Sequence, residues 1–251
     1  FLACCFNGSL CAQSDAQIYE RTCDAKTYPF SDPSPVATPN NSYYPYFRFD
    51  GFSMQAQEKQ WKMVVLENDY VKLTVTPEIG GKIWGAIDKV NNKEFVYTNG
   101  VVKFRDVAMR GPWTSGGIEF NFGIIGHAPT CSTPIDYLTK KNVDGSVSCH
   151  IFSYEWITRT VWNVEINLPK DKAYFTTHTT WFNQSSIDQP YYQWMNAGYA
   201  TKTGTRFYYP GTYSIGHSGD LHPYPIDEEG RDVSWYDNNN FGCLLYTSDA
   251  A

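Results

Sequence analysis

Several absences narrow the reading of this 251-residue chain before any motif is considered. It has no run of Lys or Arg and no basic helix, and its formal net charge is −6, so a polyanion footprint is missing and nucleic acid is excluded as a partner. No apolar run reaches the length of a membrane span. No Cys-x-x-Cys occurs, which leaves a structural zinc site unsupported. Phosphate loop, nucleophile elbow, dinucleotide fingerprint and solenoid-type repeat are all lacking. Charged residues make up only 18%. What fills their place is aromatic: 19 Tyr, 15 Phe and 8 Trp, 17% in all, with much Thr, Val and Gly, which favours β structure. Aromatic rings also stack on sugar faces, although most fill cores.

The termini read differently from the middle. Residues 1–14 start without Met and run small and apolar through Cys4, Cys5 and Cys11, like the end of a secretory signal with cleavage near Ala12–Ser14. Leu2-Ala3-Cys4 also suggests a lipoprotein acylation site. The expectation is an exported protein, secreted or periplasmic. Residues 243–251, from Cys243 to Ala251, resemble a translated sequencing adapter, which places a truncation near Gly242. With the leader and tail set aside, Cys23, Cys131 and Cys149 remain. Cys131 and Cys149 are either a disulfide across neighbouring strands or two buried thiols.

Residues 15–59 carry Pro29, Pro33, Pro35, Pro39 and Pro45, and are expected to form an extended segment that wraps or links. From residue 60 to 242 short strands are expected in quick succession. Val71, Leu73 and Val75 alternate with Lys72, Thr74 and Thr76. Trp156–Leu168 alternates in the same way, with Trp162, Val164, Ile166 and Leu168 on one side. Turn residues at Asn68-Asp69, Pro77–Gly81, Asn91-Asn92 and Asp144-Gly145 separate the strands. The expected fold is all-β, an antiparallel sandwich.

The densest chemistry lies in Met109–Asp136. Ile118-Glu119-Phe120-Asn121-Phe122 reads as a strand with Glu119 and Asn121 on one face, expected to be open, and the apolar residues on the other. Glu119 is the first candidate carboxylate, either for acid–base work or simply solvated on an edge. His127, between Gly126 and Ala128, is a candidate proton carrier or a loop-fixing ring. Asp136 is a second acid, or a turn residue after Pro134; Asp237 is a weaker third. Arg110, Trp113, Asn121, Trp194 and Asn196 are candidate substrate contacts: Trp for stacking, Asn for hydroxyls, Arg for an acidic group. No cofactor or metal is required, although the Asp/Asn-rich 227–240 stretch has oxygens that suit Ca²⁺.

A resemblance rests on longer stretches. Leu66–Trp84 (LENDYVKLTVTPEIGGKIW) is similar to the opening meander of the galactose-mutarotase-like superfamily. Trp113–Phe122, Gly126–Thr130, Pro134–Tyr137 and Trp194–Ala197 resemble a bacterial branch of it, domain of unknown function number 5107, often followed by tetratricopeptide repeats. Across residues 60–242 the resemblance implies a β-supersandwich that binds carbohydrate on a concave face. The function it implies is carbohydrate-active, a glycoside-hydrolase-like domain; an aldose 1-epimerase and a non-catalytic carbohydrate-binding module are the alternatives. A downstream repeat domain is the implied covalent partner.

Overall fold

The computed structural model describes residues 14–30, 51–106, 112–123, 129–155, 158–190, 193–199, 203–216 and 219–239. Residues 1–13 of the expected leader, the adapter-like tail, Arg110 and His127 lie outside these residues. The strands are β1 (Gln17–Tyr28), β2 (Gln57–Glu67), β3 (Val71–Thr76), β4 (Lys82–Asp88), β5 (Lys93–Val96), β6 (Val102–Lys103), β7 (Arg105–Asp106) and β8 (Pro112–Trp113). They continue as β9 (Ile118–Phe122), β10 (Asp136–Lys141), β11 (Val147–Glu155), β12 (Thr160–Leu168), β13 (Thr176–Asn183), β14 (Gln193–Ala197), β15 (Tyr213–Ile215) and β16 (Leu221–Pro223). Among the described residues, helix is limited to three single 3-10 turns. No helix among them is long and apolar enough to cross a membrane.

The chain divides into two units, Phe1–Gly198 and Tyr199–Ala251. In the first, an eight-stranded sheet runs β14-β9-β4-β3-β2-β1-β6, with β5 also on β4, and a four-stranded sheet runs β10-β11-β12-β13. All pairings are antiparallel except the short parallel contact of β1 with β6. The alternating sequences explain the packing. Leu73, Val75, Ile83, Phe120 and Phe122 of the large sheet meet Val147, Ile151, Trp162, Val164 and Ile166 of the small one in a single buried cluster. The Phe122 and Trp162 rings stack at 4.5 Å across the gap, and Trp181 closes on Phe122 at 5.5 Å. This is an all-β sandwich, as the period-2 patterns require.

A buried asparagine ties the two sheets at one end. Asn68 Nδ2 donates to the carbonyls of Pro169 and Lys172, at 2.7 and 2.8 Å. Its Oδ1 accepts from the amides of Tyr70 and Val71. One side chain therefore closes the β2–β3 turn and fastens it to the turn between β12 and β13.

One expectation needs correction. Residues 17–28 are not a wrapping segment but a twelve-residue strand, paired in full register with β2 from Gln17↔Glu67 to Thr27↔Gln57. The first proline of that region, Pro29, lies just beyond the end of β1, so nothing in the strand itself forbids the ladder. Of the two readings of Cys131 and Cys149, that of two buried thiols holds: among the described residues Cys23, Cys131 and Cys149 are free, with Cys149 in the sandwich core and Cys131 in the 3-10 turn Pro129–Cys131.

The second unit carries the β15–β16 hairpin. It also holds a loop in which Asp227 accepts from the amides of Glu229 and Arg231 and pairs with the Arg231 guanidinium at 2.7 Å.

Candidate functional site

The large sheet has a second face, turned away from the small sheet, and its side chains follow from strand parity. Ile83 enters the sandwich, so Lys82 and Trp84 take the opposite side. Ile83 pairs with Ile118 on β9, and Glu119 and Asn121 therefore share that side. On β14, Trp194 stands opposite Asn121 and Asn196 opposite Glu119. Four of the expected site residues thus come together from two neighbouring strands.

The expectation that this face is open is overturned. Glu119 and Asn121 are each 1% exposed, and Lys82 is equally buried. The cover comes in part from the 3-10 turn Pro129–Cys131, which packs on β9. The result is a buried polar layer. Glu119 Oε1 accepts from Asn121 Nδ2 at 2.8 Å and from Asn196 Nδ2 at 3.5 Å. The Lys82 ammonium donates to the Thr114 carbonyl and, at 3.1 Å, to its hydroxyl. The same nitrogen lies 5.8 Å from the Trp113 ring centroid and 6.0 Å from that of Trp84, close enough for cation–π attraction.

Gly117 makes room for this arrangement. Its φ is +66°, and a Cβ there would stand 2.3 Å from the Ile83 carbonyl oxygen and 3.1 Å from Lys82 Cε. Only glycine lets β9 begin this close to the lysine stem.

Burial holds the Lys82 amine below the usual lysine range, with the charge of Glu119 acting against that shift. Burial also pushes the Cys131 thiol well above its ordinary value, and the Glu119 charge adds to it. A depressed lysine binds fewer protons folded than unfolded once pH exceeds its folded value. Stability therefore rises with pH between that lowered value and the unfolded lysine value of 10.5. In Lys82→Met this alkaline rise disappears. Urea melts of both proteins across that pH range check it, and parallel pH profiles would remove the assignment.

Two polar atoms in the same region find no hydrogen-bond partner among the described residues: Asn121 Oδ1 and Thr130 Oγ1. A buried, unmatched acceptor costs about 1–3 kcal/mol. Such atoms are kept where a ligand or water completes them.

The remaining expected residues fall as follows. Trp113 and Trp194 are half-buried on this side of the sheet region. Asp136 is exposed at the start of β10, an edge strand of the other sheet, so β9 and Asp136 do not share a sheet. Asp237 lies in the second unit, where its Oδ2 accepts the Gly204 amide at 2.9 Å. Among the described residues no cluster of three metal-ligating side chains occurs.

Sequence reading missed Lys82, Thr114 and Cys131. Lys82 opens a strand with no polar neighbour to mark it. The only available signal was parity with Trp84, together with the Gly116-Gly117 pair that pairing brings beside it.

A family model described as "Domain of unknown function (DUF5107)" matches residues 38–247. Among solved structures, the chain is similar to a crystal structure of a TPR-domain containing protein from Parabacteroides distasonis. The TM-score is 0.72 at 25% identity, over 80% of this chain and 35% of that one. The chain thus spans about a third of the length of the protein it matches.

Proposed function

The chain belongs to the family of the domain of unknown function DUF5107, and from that premise we propose that the second face of its large sheet is a carbohydrate site centred on Glu119. The observation that carries this reading is the incompletely satisfied polar layer. A carboxylate is aimed by two amides, and an asparagine oxygen is buried without a donor among the described residues. Trp113 and Trp194, half-buried, belong to the same surroundings. A sugar offers what such a place lacks: hydroxyls that both donate and accept, on a ring whose C–H faces suit indole. The sequence resemblance to the galactose-mutarotase-like superfamily points the same way.

Binding is the part of the reading that the geometry supports best. Glycosidic cleavage needs two carboxylates across the bond, and the second expected one, Asp136, belongs to the other sheet. One observation does favour acid–base chemistry on the bound sugar: a lysine and a glutamate buried in one layer, the lysine shifted by its surroundings. Hydrolysis or epimerisation would then run on Glu119, with His127 and Arg110 as further participants from the adjoining sequence. Export of the protein, and a repeat domain beside this one in a longer polypeptide, belong to the same proposal.

Isothermal titration of the protein against a panel of neutral oligosaccharides (α- and β-linked glucans, galactans, mannans and xylans) tests the reading. Saturable heat with at least one of them is expected. Product analysis and polarimetry on the same mixtures separate binding from turnover, and a panel that gives no heat at all would end the carbohydrate reading.

A further inference from the structure

A pocket of about 290 Å³ lies between β1, β2, the 3-10 turn Pro77–Ile79 and residues 132–134. We propose that it is a binding site of its own, for a free α-amino acid with an apolar side chain. The inference stands on other residues than the carbohydrate reading and does not depend on it.

The floor of the pocket is aromatic. Trp61 and Phe104 line it with ring centroids 6.3 Å apart, and Phe30 joins them. The two rings are held in place. They belong with Ile79 and Val102 to one buried cluster, and the Trp61 indole nitrogen donates to Thr27 Oγ1 at 2.9 Å.

The elements that carry this floor also carry one charge each. Lys59 stands two residues before Trp61 on β2, so strand parity puts both on one face. Its stem brings the ammonium 3.8 Å from the Trp61 ring centroid, where cation–π attraction holds it. Glu78 is the middle residue of the 3-10 turn, next to Ile79 of the same buried cluster. Its Oε2 accepts the Lys62 amide, and its other oxygen has no partner among the described residues. The Lys59 ammonium has no carboxylate partner among them, although Glu78 lines the same pocket.

One positive and one negative group therefore face the same small space without pairing, above an apolar floor. A lone anion drawn to Lys59 also meets Glu78, and a lone cation drawn to Glu78 also meets Lys59. An uncharged guest takes water from both groups and returns no counter-charge. A zwitterion answers both. The carboxylate of an α-amino acid accepts from Lys59, its ammonium donates to the free Glu78 oxygen, and both bonds are charge-assisted. An apolar side chain then packs against Phe104 and Phe30. The volume is at the lower end for small-molecule sites, which run about 300–1,000 Å³, and suits one amino acid.

The test follows the Trp61 indole N–H resonance of nitrogen-15 labelled protein during titration with L-phenylalanine, L-leucine and L-methionine. Saturable movement with at least one of them is expected. For that amino acid, the N-acetyl form and the carboxamide are each expected to bind about ten-fold more weakly or worse, since each lacks one charge-assisted bond. Lys59→Met is expected to weaken the free amino acid by a similar factor and to leave the carboxamide unaffected. Glu78→Gln keeps an acceptor for the Lys62 amide, and is expected to weaken the free amino acid while leaving the N-acetyl form unaffected. No saturable movement with any of the three overturns the proposal. So do blocked forms that bind as tightly as the free amino acid, and so does full affinity in both variants.

Discussion

Glu119→Gln is expected to weaken oligosaccharide binding by about ten- to a hundred-fold, the cost of turning a charge-assisted hydrogen bond to ligand into a neutral one. The substitution keeps side-chain volume and shape in a site that is 1% exposed, so the sandwich stays assembled. It does change the hydrogen-bond logic. Asn121 and Asn196 both present amide N–H groups to Oε1. If the new amide nitrogen takes that position, donors face donors; if the oxygen keeps it, the carboxylate's second acceptor is gone. In the second case the other position carries a donor in place of an acceptor; in the first a neutral oxygen remains there, but the amide is held against two donors. Loss of the negative charge also leaves Lys82 with less to offset its burial, so a modest fall in stability accompanies the binding loss. Calorimetry reads the first effect and urea denaturation the second. Unchanged affinity in a variant that folds would show that Glu119 is a fold-specifying buried acid and nothing more.

The largest stability effect is expected at the other face. Trp162 is fully buried, stacked 4.5 Å from Phe122, and lies opposite Trp181 in the β12–β13 register. Trp162→Ala should cost about 3–5 kcal/mol, because the two sheets cannot collapse into the space left between them. Its indole nitrogen has no hydrogen-bond partner among the described residues. Trp162→Phe should therefore cost far less, since it keeps a ring against Phe122 and gives up no bond. Urea midpoints of the two variants separate packing from hydrogen bonding. If alanine costs under about 1 kcal/mol, the Phe122–Trp162 contact does not hold the sheets together.

Much of the sandwich was legible in the residues, and the reason is local. Thr160–Leu168 and Val71–Thr76 alternate cleanly, so each declares its inner face without reference to any partner. β1 was not legible, because Gln17–Tyr28 is mostly polar and exposed along its length and its partner begins at Gln57. A strand identified only by its ladder leaves little trace in hydropathy. The site divides the same way. Parity correctly set Glu119 and Asn121 opposite Phe120 and Phe122. Their burial was invisible, because part of the cover is supplied by a 3-10 turn at Pro129–Cys131 whose packing on β9 no local pattern announces. Lys82 stayed hidden for the same reason. In sequence it is one of several strand lysines, and only the close passage of Gly117 and the two indoles makes it distinctive.

The indole N–H resonances give the most direct test of whether sugar meets the second face of the large sheet. In a nitrogen-15 labelled protein titrated with a bound oligosaccharide, the Trp113 and Trp194 signals are expected to move with occupancy. Trp162, shut in the sandwich core, should stay where it is. Movement at Trp162 or at Trp235 of the second unit, with Trp113 and Trp194 still, would place the sugar elsewhere and contradict the account.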